Sequence, residues 1–376
     1  MSASPLHQLH AAGQSIWLDF INRDMLDDGE LARRIAEDDL TGMTSNPSIF
    51  EKALAEGTSY DSQLGELGAD VSAAEAFEIL STDDVRRACD LFRPVHDATG
   101  GKDGFVSLEV SPGMAHDTEG TISEAHRLWA RVDRPNVMIK VPGTVEGMEA
   151  IRRLTADGVN VNITLLFAID AHRQVIDAYM SGLEERAAAG KPLDHIASVA
   201  SFFVSRVDTK VDRQLEAIVA AGGEKQELAR SLLGQVAIAN AKLAYRLFTS
   251  SFAGARWEAL SARGAQLQRP LWASTSTKNP AYSDVLYIEQ LIGPHTVNTI
   301  PPATIEAFRD HGKVARTIDQ DVDGAVRTLA QLESLGVSLD SVTDELLKEG
   351  VASFAKSFAT LLTGLDRKRQ TVLAHR

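Results

Sequence analysis

Residues 137–141 read Val-Met-Ile-Lys-Val, and the lysine is the odd member. An ammonium group in an apolar strand is costly unless it is paired, reaches solvent or gives up its proton. Desolvation and neighbouring cations favour the neutral amine, a nucleophile toward ketones and aldehydes. By position alone, a structural Lys140 whose head finds a carboxylate or water is the plainer reading. Its company shifts the balance, because Schiff-base chemistry needs groups that deliver and remove protons beside the amine. Asp19, Glu109 and Thr164 are of that type, and each falls in or at the end of another strand-like run. Singly they are ordinary: Asp19 an ion-pair partner, Glu109 a polar cap on an interior layer, Thr164 a β-branched strand residue. The same strand ends carry Thr44 and Asn46, then Asn162 two residues before Thr164 and so on its face, then Ser201, Phe203 and Arg206, and finally Ser274 and Lys278. Asn46 precedes Pro47 and suits a helix N-cap equally well.

These residues meet only if the runs that hold them form one sheet. Eight short β-rich runs are evident, at 15–21, 40–45, 104–110, 136–141, 159–166, 196–203, 270–275 and 295–300. Several are apolar almost throughout, as in strands buried on both faces of a parallel sheet. Amphipathic helical stretches separate them, at 144–156, 168–188, 204–221 and, as one long segment, 224–252. Eight alternating units predict a closed (β/α)8 barrel in a single domain spanning residues 1–376. A doubly wound open sheet is the rival, but the first run ends Asp-Phe-Ile-Asn with no Gly-rich phosphate turn. Extra helices are expected within 53–98 and 224–262, closing helices at 319–336 and 340–365, and a fraying polar tail over 366–376.

Composition narrows the partners. A formal charge of −14 argues against a nucleic-acid binder or an anionic membrane surface. It leaves phosphorylated small molecules open, because charges beyond about 8 Å are largely screened at physiological salt. The single cysteine, Cys89, lies in a helical stretch and reads as inert; no His/Cys cluster has zinc spacing. No apolar run approaches the about 20 residues of a membrane span. The first Lys or Arg is Arg23 and no apolar segment follows the start, so a secretory signal is not expected and the cytoplasm is the expected compartment.

Read as blocks, the same residues resemble a known family. Gly-Met-Thr-Ser-Asn-Pro-Ser-Ile-Phe (42–50) is similar to the first transaldolase signature. Asn-Val-Met-Ile-Lys-Val-Pro-Gly-Thr (136–144) and Val-Asn-Val-Asn-Ile-Thr-Leu-Leu-Phe (159–167) resemble the block around the Schiff-base lysine, and 201–206 and 272–280 resemble later blocks. The long insertions resemble a larger bacterial branch. The resemblance implies that Lys140 attacks the ketone of fructose 6-phosphate or sedoheptulose 7-phosphate. Glu109 and Thr164 hold a water that shuttles protons, and Asp19 takes the C4-hydroxyl proton as the C3–C4 bond breaks. Asn46, Asn162 and Ser201 bind the dihydroxyacetone hydroxyls, and Arg206 and Ser274 grip the phosphate. Thr44 and Phe203 complete the pocket. It also implies that neither metal nor organic cofactor is needed, because the iminium is the electron sink.

One departure stands out. The family commonly has an arginine two residues after the serine matching Ser274; here that position is Ser276, and Lys278 is expected to supply the charge. Two rival readings remain. Related fructose-6-phosphate aldolases typically have glutamine at the position of Glu109 and tyrosine at that of Phe203, so Glu109 and Phe203 favour transfer over release of free dihydroxyacetone. An inactive binding barrel would have no reason to keep Asp19, Glu109, Lys140 and Thr164 together. Monomer and homodimer are both compatible with the sequence.

Overall fold

In the computed structural model, which describes residues 4–55, 57–68 and 70–375, every apolar run becomes a strand. The strands are β1 (Gln14–Asp19), β2 (Leu40–Thr44), β3 (Phe105–Glu109), β4 (Val137–Pro142), β5 (Val161–Leu166), β6 (Ser198–Phe203), β7 (Gln268–Ala273) and β8 (Thr296–Ile300). They pair in sequence order, all parallel, and β8 closes on β1. The closed (β/α)8 barrel expected from the alternation is therefore the fold. β4, β5 and β6 are buried at every position, which is why they read as continuous apolar runs.

Local chemistry sets the helix starts. Thr144 caps the helix Val145–Asp157 by accepting from Gly147 N at 3.1 Å, and Ile151 and Leu154 bury its inner face. That helix lies against Ile169–Ala188, where a Cβ on Gly182 would stand 2.4 Å from the Arg152 carbonyl.

Between β2 and β3 the chain forms the helices Pro47–Ala55, Asp61–Leu67 and Ala73–Ala98. A buried network ties this insertion to the barrel: Arg23 Nε donates to Asp84 Oδ1 at 2.9 Å, and Tyr60 OH donates to Asp84 Oδ2 at 2.8 Å. The arginine also stacks 4.3 Å above the Tyr60 ring.

Three expectations need correction. The stretch 224–252 is not one helix but two, Gln226–Leu232 and Val236–Ser251, because Gly234 adopts φ +69° with the Tyr282 ring packed where a side chain would go. The tail is helical through Ala374, with Arg376 outside the described residues: the last helix runs Leu339–Ala374, anchored where Lys368 Nζ donates to Leu54 O at 3.2 Å and Gly57 O at 2.8 Å. A further helix, Pro302–His311, follows β8 where none was expected.

Replacing Gly182 by alanine should destabilise the protein by about 1–3 kcal/mol, since the facing Arg152 carbonyl belongs to a rigid helix. Urea unfolding will check this; an unchanged midpoint would mean that the two helices can separate freely.

Candidate active site

The C-terminal ends of the strands open into a cleft of about 740 Å³. Strand register brings the sequence candidates together. Glu109 on β3 pairs with Lys140 on β4, and Lys140 pairs with Asn162 on β5, forming one cross-strand row. Asp19 and Thr44 are likewise paired at the ends of β1 and β2.

Lys140 Nζ lies 3.3 Å from Glu109 Oε2 and donates to Ser45 O at 3.0 Å, with side chains only 8% and 5% exposed. Burial pushes the Glu109 carboxyl above its ordinary range, opposed mainly by the Lys140 charge. Proton transfer from Lys140 to Glu109 leaves a neutral amine beside a neutral acid, the pair that addition to a carbonyl and loss of water require. Burial also raises the Asp19 carboxyl, against the pull of Lys140, a hydrogen bond from Thr44 Oγ1 at 2.9 Å, and the charges of Arg206 and Lys278. A carboxylate with raised proton affinity is the better base.

Thr164 faces the cleft, and its buried Oγ1 has no hydrogen-bond partner among the described residues. Immediately beyond it, Leu165 takes φ +60° and the β5–β6 register shifts. Such a bulge re-aims side chains. Ser274, just past β7, is also left-handed at φ +57°. Its Oγ lies 2.9 Å from Ser205 Oγ. Backbone of this kind costs of order 1–3 kcal/mol and gathers at functional sites.

Two amides behave differently. Asn46 lines the cleft and also caps the helix Pro47–Ala55, its Oδ1 accepting from Ile49 N at 3.0 Å; the amide nitrogen remains as the donor. Asn162 lies behind the cleft surface. Its Nδ2 donates to Ser107 Oγ at 2.9 Å and its Oδ1 accepts from Ser201 Oγ at 2.7 Å, so it orients Ser201, which does face the cleft. Glu109 also lies behind this surface, in contact with Lys140.

The outer cleft is cationic although the chain is acidic. Arg206 sits 5.1 Å over the Phe203 ring, and Lys278 reaches the wall while donating to Ser276 Oγ at 2.9 Å. Lys210 and Arg213 line the same wall and were not singled out from the sequence. The signal was present: residues 206, 210 and 213 have i, i+4, i+7 spacing, one face of the helix Ser205–Ala221. The last helix adds Glu349, whose Oε1 takes a hydrogen bond from Lys210 Nζ at 2.5 Å, and Phe354.

Residues 16–365 match the family described as Transaldolase/Fructose-6-phosphate aldolase. The chain belongs to that family. It is 50% identical to the transaldolase of Thermobifida fusca over 374 residues, 99% of each chain. It is 45% identical to transaldolase 2 of a Nostoc species over 98% of each, and 50% identical to the transaldolase of Mycobacterium marinum over 95% of each.

Within this family member the loop carrying Lys278 is docked by a buried clamp. On the helix Ser205–Ala221, Asp208 accepts from Tyr287 OH at 2.9 Å and Ala237 N at 2.7 Å, and Asp212 accepts from Tyr282 OH at 2.7 Å and Gly234 N at 3.0 Å. One helix therefore presents cations to the cleft and carboxylates to the segment that follows β7.

Burial raises Asp208 to about 7, so the folded chain binds this proton more tightly than the unfolded one. Its contribution to stability should fall as the pH rises from about 4 to about 7, by up to about 1.4 kcal/mol per unit. Thermal midpoints of wild type and Asp208→Asn across that range will test this: the substitution should flatten the decline, and parallel curves would refute the assignment.

Proposed function

We infer that the chain catalyses the transaldolase reaction, moving a dihydroxyacetone unit from fructose 6-phosphate or sedoheptulose 7-phosphate to an aldose phosphate, with Lys140 as the nucleophile. The observation that carries the roles is a buried amine 3.3 Å from a carboxylate whose proton affinity is raised, on the wall of a cleft with a cationic outer end.

Lys140, its proton passed to Glu109, adds to the ketone carbon. Glu109 returns the proton, through a water held with Thr164, to the carbinolamine hydroxyl, which leaves as water and gives the iminium. Asp19 takes the C4-hydroxyl proton; the C3–C4 bond breaks, its electron pair moves into the iminium, and an aldose phosphate departs. The dihydroxyacetone enamine waits on Lys140 until a second aldose phosphate arrives, when Asp19 returns the proton and the sequence reverses. The Asn46 amide and Ser201, oriented by Asn162, hold the dihydroxyacetone hydroxyls. Arg206, Ser274 and Lys278 take the phosphate, Lys278 as a mobile point charge where an arginine would make a fork.

Borohydride with fructose 6-phosphate should trap an adduct on the peptide carrying Lys140. Lys140→Ala should give none and lose transfer by several orders of magnitude. Free dihydroxyacetone released without transfer to an acceptor would assign the aldolase reaction instead. For the phosphate grip, Lys278→Ala should raise KM for phosphorylated substrates about tenfold and leave non-phosphorylated analogues unaffected. An equal effect on both would remove Lys278 from that role.

A further inference from the structure

Two cations in the first half of the helix Ser205–Ala221 are held in opposite ways. Lys210 Nζ lies 2.8 Å from Glu345 Oε2 and donates to Glu349 Oε1 at 2.5 Å, so two carboxylates of the last helix neutralise it. The Arg206 guanidinium makes no hydrogen bond or ion pair among the described residues. Its partners are two rings: Cζ lies 5.1 Å from the centroid of Phe203 and 5.9 Å from that of Phe354. Both rings are buried, and all three side chains line the substrate cleft.

The second ring comes from outside the barrel. Phe354 belongs to the last helix, as do Leu346 and Glu349; at i, i+3 and i+8 the three lie toward one face, and all line the cleft. The contacts of Glu345 and Glu349 with Lys210 connect that helix to Ser205–Ala221, one turn from Arg206. Phe203 is braced in turn by Phe167, with ring centroids 5.2 Å apart.

How the arginine is held matters for what it can bind. A long side chain loses rotamer freedom when it grips an anion, and it loses less if its planar fork is already in place. A carboxylate partner would occupy N–H donors and repel a phosphate. A ring attracts the cation through its π face and takes no donor. Burial pulls the proton affinity of Arg206 down, against the opposing charges of Asp19 and Glu109, which marks a partly desolvated cation. Cation–π attraction is stronger in such surroundings than at an exposed site. We propose that Phe354 is a positioning residue for the phosphate grip: its ring and that of Phe203 hold the Arg206 guanidinium while leaving its N–H donors to the substrate phosphate. This rests on the phosphate role given above to Arg206.

The test is a double-mutant cycle read in binding. KM for fructose 6-phosphate and the competitive inhibition constant of inorganic phosphate are measured for wild type, Phe354→Leu, Phe354→Tyr, Arg206→Ala and the Arg206→Ala/Phe354→Leu pair. Phe354→Leu keeps an apolar group but removes the ring; it should raise both constants about three- to tenfold and leave kcat within about twofold. Phe354→Tyr keeps the ring and should restore both constants to within about twofold of wild type. In the Arg206→Ala background, Phe354→Leu should add less than about twofold, because the ring acts only through the arginine. Phe354→Met carries the test if Phe354→Leu does not keep the wild-type thermal midpoint. A folded ring-less variant with wild-type constants would overturn the proposal, as would an equal rise with and without Arg206. Arg206→Ala separates the two ideas: unchanged constants there refute its phosphate role, whereas a rise that Phe354→Leu does not share refutes the positioning role alone.

Discussion

The structure turns on one buried contact, an amine and a carboxyl 3.3 Å apart on adjacent strands. Two charges taken out of water cost several kcal/mol each, and a pair of this kind is weak evidence for stability. In the reaction proposed above, its value is that the two groups lie close enough to exchange a proton. Losing Glu109 would leave the buried amine without its carboxyl partner; losing Lys140 would remove the main influence that opposes the burial-driven rise of the Glu109 carboxyl. Register supplies the contact, since Glu109 and Lys140 are directly paired on β3 and β4 and a shift of one residue would turn one of them to the opposite face.

Around that contact the electrostatics run against the bulk composition. The chain carries −14 overall, yet Arg206, Lys210, Arg213 and Lys278 converge on the cleft. Low-dielectric walls make such a local cluster matter more than distant surface carboxylates. The helix Ser205–Ala221 does double duty: Arg206, Lys210 and Arg213 face the cleft, while Asp208 and Asp212 hold Tyr287 and Tyr282 and thereby the segment carrying Lys278. The cations of the cleft wall and the support for the Lys278 segment are two faces of one element.

The barrel supplies the cleft floor, and the additions supply its walls. The insertion after β2 and the last helix close over the strand ends, bringing Ser48, Leu346 and Phe354 to the rim.

Much of this was determined by the sequence alone. Apolar runs alternating with helical periodicity pointed to eight parallel strands, and the absence of a Gly-rich turn after the first favoured closure over a doubly wound open sheet. Residue types at the strand ends, above all a lysine among Val, Met and Ile, marked Lys140, Asp19, Glu109 and Thr164. Tertiary structure decided what depends on contacts between distant residues. It broke the 224–252 stretch at Gly234, where Tyr282 from another loop takes the space of a side chain. It kept the polar tail helical, because Lys368 found backbone carbonyls more than 300 positions away. It also set Asn162 behind Ser201. Periodicity reports which face of an element is buried; which cavity a buried polar group meets depends on packing between elements far apart in the chain.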